Sequence, residues 1–370
     1  MVLLTQYNGS ILGPIAKVLG WIFNGIFELT ANFGILNIGL TIILFTVIIK
    51  LIMLPLTIKQ MKFSKMSSIM NPELTALQKK YKGKTDQDSM LKMQEEQKAI
   101  YEKYGTSPTG GCLQLILQMP ILFALYRVMQ NIPAYVGTVK SIFINMLSGE
   151  SGLMAQNNFV TIMTDNFGTL HGDYSTVDKT IDAMNYFSAA QWQQLEELFP
   201  SCAAVISENV DKLFGMYNFF GINLSVNPEL MSISVLIPVL TALTQWISMK
   251  TVSGKNTANM EDNPAMKSMQ TMNTIMPIMT GFIALSLPSA LGLYWIATAV
   301  CQTVQQLLLN VYFNKIDIDE FVQKNVEKAN NKRKKKGLPP NTISAKANTN
   351  TKKIQQNFVN SLEETRKKNL

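Results

Sequence analysis

Lys50 stands inside GLTIILFTVIIKLIMLPLTIKQMK, residues 39 to 62, an apolar run long enough to cross a bilayer. A lone cation in hydrocarbon costs at least ~2.5 kcal/mol, so it is kept where it faces a wet cavity, a partner or a passing ligand. Snorkelling to the interface with local thinning is the plainer reading. Other apolar runs carry neutral donors and acceptors: Gln114 and Gln118; Thr241, Thr244 and Gln245; Asn273 and Thr274; then Trp295, Thr298, Gln302 and Gln305. Singly, each reads as glue between helices. Collectively, with Lys50, they are the set that would line a hydrated groove. The chemistry this allows is non-covalent, with the cation facing a wet cavity, a partner or a passing ligand.

Other chemistries are disfavoured by what the chain omits. No Asp or Glu falls in the apolar runs, which weakens proton-coupled transport and intramembrane aspartyl proteolysis together. The one histidine, His171, pairs with no other, and Cys112, Cys202 and Cys301 are far apart, so neither a metal site nor a Ser/His or Cys/His hydrolase is indicated. No GxxxxGK[ST] segment occurs, so no nucleotide-driven motor is expected. The expectation is a non-enzyme without cofactors. A small-solute transporter or channel is the competing class, although no inverted repeat is evident.

The elements that must position these residues are helices. At 370 residues, 47% hydrophobic and 16% charged, the chain alternates apolar runs with polar segments. Residues 1–33 read as an interfacial amphipathic helix, with Ile15, Leu19, Ile22, Ile26, Leu29 and Phe33 on one face and Lys17, Asn24 and Glu28 opposite; an extra span is the alternative. Five spans follow, at 34–58, 107–130, 231–250, 272–288 and 291–313. Residues 59–106 form a helical hairpin, one arm showing Met70, Leu74, Leu77 and Tyr81 and the other Met90, Met93, Gln97, Ile100 and Tyr104; Asp86 or Asp88 caps the second arm and Gly105 ends it. Residues 131–230 are a long polar loop with amphipathic pieces such as 188–199, 251–271 a short linker, and 314–370 a basic tail, largely disordered beyond its first helical turns.

Charge gives an orientation. The hairpin holds ten lysines and the tail fourteen Lys and Arg, whereas the loop 131–230 holds ten acids and three lysines. By the positive-inside rule the hairpin, linker and tail share the cytoplasmic side, and the N-terminus lies outside. Pro55, Pro120, Pro238 and Pro277 place a helix breaker in four spans, and many of the 22 methionines offer an adaptable apolar surface.

Three stretches carry a resemblance: IIKLIMLPLTIKQMKFSKMSSIMNPELTALQKKYKGK, YEKYGTSPTGGCLQLILQMPILFALYRV and MPIMTGFIALSLPSALGLYWIATAVCQTVQQ. In residues 36–130 and 229–315 the chain resembles the YidC/Oxa/Alb membrane protein insertases in their five-span Gram-positive form. The resemblance implies an all-α polytopic fold of five transmembrane helices with a cytoplasmic helical hairpin and a hydrophilic groove open to lipid. It implies insertion of short hydrophobic clients into a bacterial cell membrane, with Lys50 drawing in acidic tails. Implied partners are nascent membrane proteins, the ribosome through the basic tail, the Sec translocon and anionic lipids, with no DNA. Departures are Lys50 where the family usually has arginine, no cysteine before Cys112, Ser248 where a glutamine is expected, and a longer outer loop.

Overall fold

The computed structural model describes residues 6–7, 9–10, 12–84, 86–107, 113–169, 173–253, 264–314, 318–335 and 337, with side chains described in the same stretches except at 113–117, 253, 264–273, 314 and 318–319. His171, Cys112, the linker 254–263 and the tail from 338 onward therefore lie outside the described residues. From the N-terminus run α1 (Leu12–Asn32), α2 (Ile38–Ile52), α3 (Leu54–Tyr81), α4 (Gln87–Lys103) and α5 (Leu113–Gln130). Then come α6 (Gly137–Leu147), α7 (Phe159–Phe167), α8 (Val177–Met184), α9 (Ala189–Leu198) and α10 (Ala203–Tyr217), followed by an antiparallel pair, β1 (Asn218–Phe219) and β2 (Ile222–Asn223). The chain closes with α11 (Leu236–Ser253), α12 (Pro264–Leu285), α13 (Ser289–Asn314) and α14 (Ile318–Lys335). These elements fall into two compact units: Met1–Ile52 with Leu117–Val252 and Thr271–Thr303, and Met53–Ile116 with Ser253–Gln270 and Val304–Leu370.

In the first unit α1 packs on α2, with Phe23 edge-on to Phe45 at 5.7 Å between ring centroids. The buried stripe of α1 runs through Ala16, Leu19, Phe23, Ile26 and Phe27, while Leu29 and Phe33, expected on the apolar face, are exposed. Its polar side is also engaged. Asn24 Oδ1 accepts from the Gly137 amide at 3.1 Å and Glu28 Oε1 from the Thr138 hydroxyl at 2.8 Å, at the first turn of α6, where free amides and the helix dipole favour such acceptors.

Residues 131–230, expected as a polar loop, fold instead into a helical layer. Short amphipathic segments bury Val139, Phe143, Met146, Leu147, Ile181, Met184, Leu195, Ile206 and Leu213, with Trp192 against Phe143 and Phe187. Local signals define the helix starts: Thr176 caps α8, and Ser188 with Gln191 makes a full capping box on α9. Asn131 donates to Asp182 and Asn185 to the Gln130 carbonyl, both at polar distances near 2.8 and 2.9 Å, fastening the end of α5 to this layer.

The second unit is built on the hairpin. Asp86 caps α4 through the Ser89 amide, and Gly105, at φ +63°, ends it. Lys80 and Tyr81 meet Glu96, whose carboxyl these hydrogen bonds hold below its ordinary range. Lys103 pairs with Glu73 at 2.7 Å, and the Tyr104 hydroxyl donates to the same carboxylate at 2.8 Å. Where the sequence placed a largely disordered tail, α14 continues to Lys335 and lies on this hairpin. Its Val322 joins Met66, Met70 and Tyr104 in a core flanked by Phe321, Val326, Ile100 and Leu74. Asn325 donates to the carbonyls of Tyr104 and Gly105 at 2.7 and 3.1 Å, satisfying acceptors left open at the end of α4.

Among the described residues, Leu12–Asn32 and Ile233–Val252 are each long and apolar enough to cross a membrane, and α2 with α3, a pair bent by 60°, would add a third only if taken as one span. Five such helices are not reached by length and hydropathy alone. For α13 the reason is compositional, since it carries the Thr and Gln residues that drew attention in the sequence. The stretch 34–58, expected as one span, is not a single helix, because α2 stops at Ile52 and α3 restarts at Leu54 with Pro55 in its first turn, where a missing amide costs no hydrogen bond.

Candidate functional site

The site is built on α2 and α13 of the first unit. On α2 the β-branched and leucine-rich turns leave Val47, Ile48, Leu51 and Ile52 exposed, while Thr41, Phe45, Thr46, Ile49 and Lys50 turn inward. Lys50 is 8% exposed, on the packed face of its helix. Thr41 and Thr46 return their hydroxyls to the Asn37 and Ile42 carbonyls, so they add little free polarity beside it. Cys301 on α13 is one of the groups that act electrostatically on Lys50.

On α13, Tyr294, Thr298 and Cys301 follow at intervals of four and three, and Trp295 and Gln302 flank them, so all five fall within about 120° of one helix face. The Tyr294 hydroxyl lies within reach of both Gln118 on α5 and Thr298. Thr298 Oγ1 is nonetheless buried and closes no hydrogen bond of good geometry, an arrangement that suits water or a transient polar guest. Thus α2, α5 and α13 bring Lys50, Cys301, Thr298, Tyr294 and Gln118 into one polar stripe.

Other residues singled out by sequence have different surroundings. Thr241 on α11 is buried and donates to the Gly292 carbonyl at 3.3 Å, tying α11 to α13 where the missing Cβ of Gly292 leaves room for Ile237. Thr244 returns its hydroxyl to Leu240 and Thr241 of its own helix. Gln245, Trp295 and Gln302 are half-buried, and Ser248 is buried. The side chains of Gln114 and Asn273 lie outside the described residues. At the end of α11, Lys250 sits 3.7 Å over the Trp246 ring, the aromatic and cationic pairing typical of a membrane–water boundary.

Tyr294 and Cys301 escape a reading of residue types, since an aromatic and a thiol in an apolar run look like core. Their spacing from Thr298 was the available signal. Among the described residues no group of three or more His, Cys, Asp or Glu is placed to hold a metal ion.

Comparison with known proteins bears on the whole chain. Residues 29–316 match the family model described as the 60Kd inner membrane protein. The chain is 27% identical over 306 residues to the membrane protein insertase YidC of Oceanobacillus iheyensis, covering 80% of this chain and 87% of that protein. It is 26% identical over 310 residues to the membrane protein insertase YidC of Clostridium perfringens, covering 83% and 94%. The ALBINO3-like protein 1, chloroplastic, of Arabidopsis thaliana is 28% identical over 274 residues, 74% of this chain and 43% of that protein. The match takes in α2, the hairpin, and the helices that carry the polar stripe, and so the chain belongs to the family of the 60Kd inner membrane protein, the YidC/Oxa/Alb family.

Proposed function

We propose that this protein is a membrane protein insertase that takes short hydrophobic clients from the cytoplasm through a hydrated, lipid-open groove into the bilayer. The observation that carries the electrostatic part is Lys50, turned to the packed face of α2 while the opposite face is apolar and exposed. A cation held there attracts an acidic client tail into a region where charges interact more strongly than in water, and desolvation offsets much of that gain. Attraction is therefore transient, which suits a catalyst of insertion that must release its client. Thr298, Tyr294 and Gln118 supply neutral donors and acceptors along the same path. Gln114, Thr241, Thr244, Gln245, Asn273, Trp295 and Gln302 complete the proposed lining. Apolar burial in lipid then draws the client's hydrophobic segment sideways, and no covalent step is required.

In this reading five helices span the membrane, with the hairpin, α14 and the C-terminal tail in the cytoplasm and the layer α6–α10 outside. The charge bias carries it: ten lysines in the hairpin against ten acids and three lysines in residues 131–230. The last turn of α14, Lys332 to Lys335, is a patch for ribosomal RNA phosphates or anionic lipid headgroups. The Sec translocon is a further partner in this scheme.

The test uses a single-span client with an acidic outer tail and proteoliposomes containing the full chain. Insertion is expected to fall roughly tenfold for Lys50→Ala and to be kept by Lys50→Arg, with recovery when the tail is made neutral, since a charge pair in low dielectric is worth more than about 1.4 kcal/mol. Equal loss for acidic and neutral tails would remove the electrostatic role. Absence of insertion by every form would remove the insertase reading.

A further inference from the structure

The turn between β1 and β2 breaks a local rule. Phe220 and Gly221 are its two central residues, at φ +50° and +83°, the left-handed pair of a type I′ turn. Asn-Gly is the sequence such a turn favours, and a bulky side chain at the first position is strained there. Phe220 gains little burial in return, being 85% exposed with its ring edge-on to Phe219. Strain kept at an exposed position calls for an interaction outside the chain.

Its place in the first unit says what that interaction is. Asn37 donates to the Asn218 carbonyl at 2.8 Å, and a Cβ on Gly39 would overlap the Phe219 ring, so the hairpin is seated on the first turn of α2. The other strand packs beside the 3-10 turn Ile233–Val235 that leads into α11. Both are starts of long apolar helices, and the residues exposed there, Leu230, Met231 and Ile233, are apolar too. Glu229 is the one charged residue between Asn218 and Met249.

We infer that Phe220, with Leu230 and Met231, forms an apolar tip that dips into the lipid at the headgroup boundary of the leaflet where α2 and α11 begin, and so seats the α6–α10 layer on the membrane surface. The partner is the acyl chain region of the bilayer. An aromatic is suited to this boundary, and Ile35 and Leu36, just ahead of the first turn of α2, are exposed apolar residues as well. The inference rests on the proposed reading of α2 as part of a membrane crossing.

The experiment places tryptophan at the tip, Phe220→Trp, and separately on the exposed face of α2, Ile48→Trp. Emission added relative to the parent protein is followed in vesicles of phosphatidylcholine brominated near the headgroup end of its acyl chains for position 220 and near mid-chain for position 48, about 15 Å further along the helix, and with iodide in the outer solution. Emission from the tip is expected to be blue-shifted, quenched about twofold by the bromolipid and little by iodide, as for a side chain at the acyl boundary. Quenching by iodide alone, with bromolipid quenching retained at position 48, overturns the inference and leaves the crossing intact. Loss of bromolipid quenching at both positions overturns the crossing itself. Phe220→Asn, the residue the turn favours, is expected to keep or raise Tm. A lower Tm in vesicles and micelles alike assigns Phe220 to packing against Phe219 and also overturns the inference.

Discussion

Two lysines are buried to the same extent, Lys50 and Lys103, each 8% exposed, and their settings are opposite. Lys103 has a carboxylate 2.7 Å away, and that carboxylate is shared with the Tyr104 hydroxyl. Burial and the neighbouring Glu73 push the Tyr104 phenol well above its ordinary range, so it stays a donor at any working pH. Lys50 sits among β-branched and aromatic residues of an apolar helix, with a cysteine thiol among its electrostatic neighbours. One lysine is compensated within its own hairpin, as a structural charge must be. The other is packed into a helix whose own residues carry no carboxylate, the setting on which the proposed attraction of an acidic client rests.

The largest effect should come from breaking the compensated pair. Glu73→Ala leaves Lys103 and the Tyr104 hydroxyl without their acceptor, and a buried charge so stranded costs about 3–5 kcal/mol; the partial exposure of Glu73 lowers this to about 2–3 kcal/mol. Hydrogen exchange across α3 and α4 should accelerate accordingly, roughly thirtyfold or more. Exchange unchanged from the parent would mean the pair is worth no more than a surface bridge.

A smaller effect is expected where α14 meets the hairpin. Gly105 has φ +63°, and a Cβ there would approach the Asn325 carbonyl oxygen to 2.9 Å. Gly105→Ala should destabilise the contact by about 1–2 kcal/mol, through the left-handed backbone and the crowding together. Faster exchange confined to α14 and the end of α4 would check it. Asn325→Leu, which removes the donor to two carbonyls, should act in the same place and in the same direction.

Lys50 should respond in the opposite sense to Glu73. Lys50→Met replaces a desolvated ammonium by an apolar side chain of similar length, so Tm should hold or rise, by the equivalent of about 0–1 kcal/mol, while insertion of acidic-tailed clients falls. A marked drop in Tm would make Lys50 a second structural lysine and erase the contrast with Lys103.

The contrast also explains what a reading of the sequence could reach. Lys50 was visible because a charge in an apolar run has few interpretations, and the hairpin was visible because Asp86, Gly105 and two periodic stripes mark its ends and faces. Met90, placed on an inward stripe by periodicity, is exposed. Of the α6–α10 layer only the amphipathic piece at 188–199, now α9, was visible: the helices are 8 to 15 residues long, too short for a period to stand out, and the core depends on residues far apart such as Phe143 and Trp192. Docking of α14 was hidden for a related reason. Its apolar contribution is Phe321, Val322 and Val326 in an otherwise charged helix, and Asn325 matters through backbone carbonyls that no residue type announces. The break at Met53 was half legible, because Pro55 indicated a kink, while its position depended on Pro55 entering the first turn of a new helix.

The smallest effect concerns a pair outside the apolar helices. Lys179 and Ser175 hydrogen-bond Asp173 ahead of α8 and hold its carboxyl down to about 2, against an ordinary 3.8. Both side chains of the ion pair are close to half exposed, so the bridge resembles Lys103–Glu73 in chemistry but not in burial. A depressed carboxyl contributes stability that is fully present above pH 3.8 and is lost as pH falls through about 2. Asp173→Asn should therefore lower stability slightly above pH 3.8, with parent and variant converging as pH falls through about 2, so that the acid limb is slightly flatter. At high salt the difference between parent and variant should shrink further, because an exposed pair is screened within a Debye length. An acid limb unaltered by the substitution would show that, outside a packed interior, the charge pair contributes nothing measurable, and burial alone would then separate Lys103 from the other paired lysines.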